Sequence, residues 1–317
     1  MTRLTEVDLL QEVSAVAGRA GPWRRFRRNR LALAGLIVAG VLVAVCLASA
    51  PLALSEVAGQ PRYDQQQAGP SLEAPSAKHW LGTDVLGRDL LIRTLYGGSI
   101  SLGIGLAAAA ISVTIGVAWG MIAGYCGGRV DAMLMRVVDV LYGLPYVLLV
   151  ILMKVALEDR LSGVLSSRGA ANIVILFVAI GSVSWLTMAR VVRGQVLSLK
   201  AQPFVEAARA GGVPLLRILR QHILPNLMGP VLVYATLTVP QAILQESFLS
   251  FLGIGIAAPT PTWGSLAAGG VSDLTAIRVY WWLVLWPCAA LGLTLLSLNF
   301  IGDGLRDALD PTSKRRR

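Results

Sequence analysis

Residues 31–54 read LALAGLIVAGVLVAVCLASAPLAL, twenty-four positions without a charged side chain. At 1.5 Å rise per residue such a helix reaches about 36 Å, more than the ~30 Å hydrocarbon core of a bilayer. Lipid offers the backbone no hydrogen-bond partners, so the run predicts a transmembrane helix. Arg24, Arg25, Arg27, Arg28 and Arg30 stand directly before it, where basic residues set orientation.

The pattern recurs downstream. Residues 96–125 are apolar and rich in Gly and Ala, and Gly116, Gly120 and Gly124 repeat every four positions. That spacing puts a flat strip on one helix face, against which a neighbouring helix can pack closely in lipid. Further spans are predicted at 137–156 (kinked at Pro145), 170–189, 226–245 and 279–302. Only 15% of the 317 residues are charged and 55% are hydrophobic, whereas soluble domains carry roughly 25% charged residues. The predicted fold class is an all-α integral membrane protein with six transmembrane helices.

Six spans place both termini on one side. With the N-terminus inside, 20 of the 28 Lys and Arg residues fall on that side, as the positive-inside rule requires. The predicted organisation is a cytoplasmic tail at 1–30, a first span at 31–54 and an extracytoplasmic loop at 55–95. A five-helix core at 96–302, with a cytoplasmic loop at 190–225, and a cytoplasmic tail at 303–317 complete it. Within the first tail, residues 6–17 suit a short surface helix.

The net charge of +10 does not imply nucleic acid, because its basic clusters flank apolar runs. Cys46, Cys126 and Cys288 form no CxxC pair or Cys/His cluster, which argues for buried structural thiols and against a disulfide framework or metal site. Lys154 is expected to snorkel to the headgroups. Asp139 and Glu246 fall at predicted span ends, so interfacial solvation is the favoured reading over a proton relay. No GxxxxGK[ST] stretch occurs, so ATP and Mg would be bound by other polypeptides and this chain would need no cofactor of its own. With His79 and His222 in polar or interfacial segments, no catalytic residue is expected.

The basic loop between the fourth and fifth spans reads as two short helices. Pro203 suits the first turn of a helix, Glu206 lies near its positive end, and Gly211-Gly212 stops it. Pro214 restarts a helix in which Leu215, Leu216, Leu219 and Ile223 form an apolar face, with Pro225 ending it or kinking it into the fifth span. A helix-turn-helix over 203–223 is disfavoured by its confinement between two spans.

Glu206-Ala207-Ala208, then Gly212, then Leu224-Pro225 resembles the "EAA" signature of permease subunits of binding-protein-dependent ABC importers. His222-Ile223-Leu224-Pro225-Asn226 is similar to the dipeptide/oligopeptide/nickel branch. The stretches Trp80 to Asp89, Gly124 to Asp131 and Phe251 to Gly255 with Pro261-Thr262-Trp263-Gly264 resemble that branch's C-type subunits in the same order. The resemblance implies a type I ABC importer permease fold with a cytoplasmic coupling helix, forming half of a pore for peptides or related solutes. It implies a B-type permease, two ABC ATPase subunits and an extracytoplasmic solute-binding protein as partners, in the bacterial inner membrane, with no nucleic acid. Glu206, Ala207, Ala208, Gly212, Leu224 and Pro225 would couple the pore to the ATPases. Gly82, Asp84, Gly87, Arg88 and Asp89 fit either docking of the binding protein or an ion-paired loop. The competing class is an ion-gradient-driven secondary transporter, which would favour mid-membrane acids, broken helices and an inverted repeat.

Overall fold

The structure, a computed structural model, describes residues 22–57, 59–162, 168–273 and 279–309. The expected helix at 6–17 and the end of the C-terminal tail lie outside them, as do the side chains of the polar loop after the third span.

Helix α1 (Pro22–Arg28) is short and basic. Its Phe26 is buried against Ala32 and Ala308, while Trp23 is exposed and stacks on Phe26. Asn29 Oδ1 accepts from the amides of Leu31 and Ala32, capping α2 (Arg30–Leu54). Such a cap satisfies amides that have no partner inside the helix. A two-residue hairpin, β1 (Glu56–Val57) with β2 (Gln60–Pro61), and a 3-10 turn at Arg62–Asp64 lead into the outer loop.

The central helix is α3 (Leu90–Cys126), 37 residues long. It packs along α6 (Arg168–Lys200), and the glycine strip lies in the seam. A Cβ on Gly116 would come within 2.6 Å of Met188 Cβ, one on Gly120 within 2.8 Å of Val192 Cβ, and one on Gly124 within 2.8 Å of Val196 Cβ. The predicted flat face is therefore in use, and only hydrogen fits there. Ser112 Oγ adds a 3.0 Å hydrogen bond to the Ser184 carbonyl across the seam.

The third span departs from expectation. In place of one kinked helix, α4 (Gly128–Tyr142) and α5 (Tyr146–Ser162) meet at a 94° bend. Pro145 has no amide to donate and disfavours helical geometry at Leu144, so the ladder stops instead of curving. Helix α4 turns its polar face to α6, where Asp131 pairs with Arg193 and Asp139 with Arg190. Among the described residues five helices are long and apolar enough to cross a membrane, or six with the bent pair counted as one span.

Helix α6 continues to Lys200, eleven residues past the predicted end, and is followed by α7 (Pro203–Ala210). Then α8 (Leu215–Ile218) passes through a π turn (Leu219–Ile223) into α9 (Leu224–Phe251). Pro225 neither ends this helix nor kinks it sharply. The Leu224 amide reaches the Leu219 carbonyl five residues back, and the wider turn carries the chain through. The predicted apolar face is accordingly altered. Ile218, five residues before Ile223, is buried with it and Leu219, while Leu215 and Leu216 are exposed.

The loop after α9 contains α10 (Trp263–Ser272), which opens on a capping box between Thr262 and Ser265. Helix α11 (Trp281–Leu309) then returns along α2, with Gly35 seated against the Ser297 carbonyl. Cys46 is buried as expected, but Cys126 and Cys288 are exposed on the protein surface.

Gly120→Leu is expected to collapse the α3–α6 seam, lowering the thermal midpoint of the detergent-purified protein and its yield. Overpacking of this kind costs about 1–3 kcal/mol or more. Gly40→Ala, where a Cβ meets nothing within 4 Å, should leave both unchanged.

Candidate functional site

Three places bring polar residues together: α7 at one end of the bundle, the loop before α3 at the other, and a cavity between them.

Helix α7 begins at Pro203 and leans on the bundle through Val205, which is fully buried among Val196, Ile218, Leu219 and Ile223. Glu206 and Ala207 face outward, and Ala208 and Leu224 pack at the edge of the cluster. The helix closes through the Gly211 amide to the Ala207 carbonyl and the Val213 amide to the Ala208 carbonyl. Gly212 takes φ +72°, with open space around its missing Cβ. Backbone handedness, not crowding, therefore calls for glycine there. Pro225 lies exposed at the start of α9. A contact absent from the sequence reading joins α7 to α3: the Arg209 guanidinium stands 5.4 Å from the Tyr125 ring centre. Lys200 Nζ donates to the Tyr125 carbonyl at 2.6 Å, so the ends of α3, α6 and α7 meet at one tyrosine.

At the opposite end, Asp84 organises the loop. Its Oδ1 accepts from the amides of Leu86 and Arg88 at 2.9 Å, and its Oδ2 accepts from Arg88 Nε at 2.7 Å. Arg88 also donates to Asp64 at 2.9 Å. Asp89 caps α3 through the Ile92 amide and contacts His79 Nδ1 at 3.2 Å. Gly82 and Gly87 both have positive φ, and a Cβ on Gly82 would strike the Glu73 carbonyl and Trp282. All five residues thus order the loop itself, and what projects from it is Trp80, Val85 and Leu86. Nearby, burial and secondarily the Asp84 carboxylate push the Asp273 carboxyl above its ordinary pKa.

Glu246 overturns an expectation. It is 0% exposed, not solvated at an interface. Its Oε1 accepts from Ser250 and Thr262 at 2.7 Å each, and Ser101 Oγ lies 3.5 Å from Oε2. Ser101 in turn accepts from the Trp263 amide. The predicted span end at 245 misplaced this residue, because α9 runs to Phe251 and the following loop folds back over it. Lys154 also finds protein in place of headgroups, donating to the carbonyls of Ile254 and Gly255 at 3.0 and 3.3 Å.

The cavity lies among the α4–α5 bend, α6 and α9, with a volume of about 460 Å³. Arg190, paired with Asp139, stands 4.0 Å from the ring centre of Tyr142 at its edge.

A bundle of apolar helices with a broken third span, an ordered outer loop and a short helix held off one end is the architecture of a transport permease. The chain belongs to the family described as the binding-protein-dependent transport system inner membrane component, whose model matches residues 116–315. The N-terminal TM domain of oligopeptide transport permease C matches residues 20–75. The dipeptide transport system permease protein DppC of Bacillus subtilis is 44% identical over 92% of this chain and 85% of its own. The oligopeptide transport system permease protein OppC of Escherichia coli K12 is 45% identical over 92% and 90%. In fold, the chain is similar to the MetNI methionine ABC transporter in inward-facing conformations, with TM-score 0.54 and 18% identity over 70% of this chain and 98% of that one. It is a multi-pass inner-membrane permease subunit of an ABC importer, and the ion-gradient alternative is not favoured.

Glu246→Ala is expected to leave the Ser250 and Thr262 hydroxyls without their buried acceptor, at a cost of about 1–3 kcal/mol. The purified protein should melt lower and be cut faster by protease between Phe251 and Trp263. Glu246→Gln, which keeps a carbonyl acceptor, should recover part of the loss.

Proposed function

We propose that this chain forms half of the pore of a peptide importer, paired with a B-type permease and served by two ABC ATPase subunits and an extracytoplasmic solute-binding protein. The carrying observation is α7. It is short, presents Glu206 and Ala207 outward, and is anchored inward by Val205 to α6 and to the π turn that runs into α9, and by Arg209 to α3. A helix so placed can enter a socket on an ATPase and pass its displacement to three spanning helices at once. In this reading Glu206 offers a charge to the socket, Ala207 and Ala208 permit close seating, and Gly212 with Leu224 and Pro225 sets the angle to α9. ATP and Mg are held by the ATPase subunits, and this chain catalyses no reaction.

The cargo class rests on relatives named for dipeptide and oligopeptide transport. The cytoplasmic segments are 1–30, 190–225 and 303–317, consistent with their basic residues. The loop at 55–95 then faces the binding protein, with Trp80, Val85 and Leu86 as the projecting side chains and the Asp84–Arg88 pair holding them in place.

Gly212→Trp and Glu206→Lys complexes are expected to assemble and to hydrolyse ATP without peptide uptake. Normal uptake by correctly assembled Gly212→Trp complexes would remove α7 from the coupling role. Co-purification of the tagged chain should recover a second permease and ATPases. A cysteine placed in the C-terminal tail should resist impermeant maleimide applied outside intact cells. Labelling from outside would invert the topology.

A further inference from the structure

The arginines before the first span differ in where they point, a difference that orientation in the membrane does not use. On α1, Arg25 and Arg28 stand three residues apart and share one side of the helix. With Arg30 at the start of α2, they border a cleft of about 350 Å³ that Asn29, Asp307 and Ala308 complete. Arg24 and Arg27, also three apart, lie about 100° round the helix and are exposed outside the cleft. Among the described residues, none of the three guanidinium groups in the cleft is ion-paired with a carboxylate, Asp307 included. Three positive side chains thus share the space with a single negative one.

The backbone that carries these arginines is fixed by packing. Phe26, between Arg25 and Arg28, is buried against Ala32 and Ala308, and Asn29 caps α2. A Cβ on Gly304 would strike Ala32 and Phe26, so α11 sits directly against the elbow between α1 and α2. A ligand entering the cleft has little chain to order. Its chemistry follows from the neighbours. Guanidinium groups match phosphate oxygens with paired N–H donors. Trp23 and Leu31, near the two ends of the arginine cluster in sequence, are both exposed. Tryptophan favours the membrane–water interface, and Leu31 lies in the first turn of a spanning helix. A soluble anion would leave these two apolar side chains without a role, whereas a lipid brings a charged head and apolar chains together.

We propose that the cleft is a binding site for the headgroup of an anionic phospholipid. Arg25, Arg28 and Arg30 donate to its phosphate oxygens, and the acyl chains leave along α2 past Leu31. The surplus of positive charge favours a lipid of net negative charge over a zwitterionic one. A bound lipid would pin the α1–α2 elbow, and through Phe26 the end of α11, to the headgroup layer. None of this depends on the cargo or on the coupling role of α7.

The test uses the full-length chain in mild detergent, with binding read by native mass spectrometry. The probes are dioleoyl-phosphatidylglycerol, dioleoyl-phosphatidylcholine (the same chains without net charge) and inorganic phosphate. The wild type should bind phosphatidylglycerol saturably and more tightly than phosphatidylcholine. Arg25→Gln combined with Arg28→Gln should weaken phosphatidylglycerol binding by about tenfold or more, the factor that a hydrogen bond to a charged group ordinarily supplies. Arg24→Gln combined with Arg27→Gln removes the same charge from outside the cleft and should bind as the wild type does. Arg30→Gln, a single change in the cleft, should also weaken binding and serves where the double variant is not recovered. Equal weakening by the two double variants, unchanged affinity in Arg30→Gln, or a wild type without preference for phosphatidylglycerol overturns the site in favour of diffuse attraction. Displacement of phosphatidylglycerol by equimolar inorganic phosphate overturns the lipid in favour of a soluble anion.

Discussion

The close approach of α3 to α6 is the contact on which the rest of the bundle depends. In lipid, helices gain little from hiding apolar surface from one another, so association relies on dense packing and buried polar contacts. Gly116, Gly120 and Gly124 bring the backbone of α3 against Met188, Val192 and Val196. Once the two helices are fixed, their ends fall into place. Tyr125, Lys200 and Arg209 meet at one mouth, and Ser101, near the other, meets Glu246 and Trp263. The Tyr125 end is built where α7 joins this pair.

Features governed by local pattern were legible in the sequence. Uninterrupted apolar length marks most of the spans, the four-residue glycine repeat marks the seam, and Pro203 with Gly211-Gly212 brackets α7 to the residue. Each depends on neighbours along the chain and on a physical rule that needs no tertiary context. The family resemblance followed from the same stretches, because the signature residues sit in that bracketed helix and in the loops.

What escaped reading depends on residues distant in sequence. Glu246 looks like a span-end acid until the loop after Phe251 folds over it and supplies Thr262. Lys154 looks ready to snorkel, yet its ammonium group donates to the carbonyls of Ile254 and Gly255. Asp84, Arg88 and Asp89 left docking and loop order equally open. Only the positions of Asp64, His79 and the α3 amides show how fully these side chains are engaged within the loop. The faces of α8 shifted because a 3.6-residue period was applied across a π turn, whose five-residue step puts Ile218 beneath Ile223. Proline at 145 signalled an interruption but not its size, since a kink and a break share the same local cause.

The break at Gly143–Pro145 and the tether at Lys154 together give α5 the character of a strut. Midway along it, the Lys154 ammonium group grips two carbonyls just beyond the C-terminal end of α9, where the helix dipole leaves partial negative charge. Its near end joins α4 through three residues that lie outside both helices. A strut pinned at its middle and jointed at one end can tilt about the pin while both helical ladders stay intact. Where Tyr146 borders the cavity, the wall therefore meets α4 at a joint that interrupts no helical hydrogen bond.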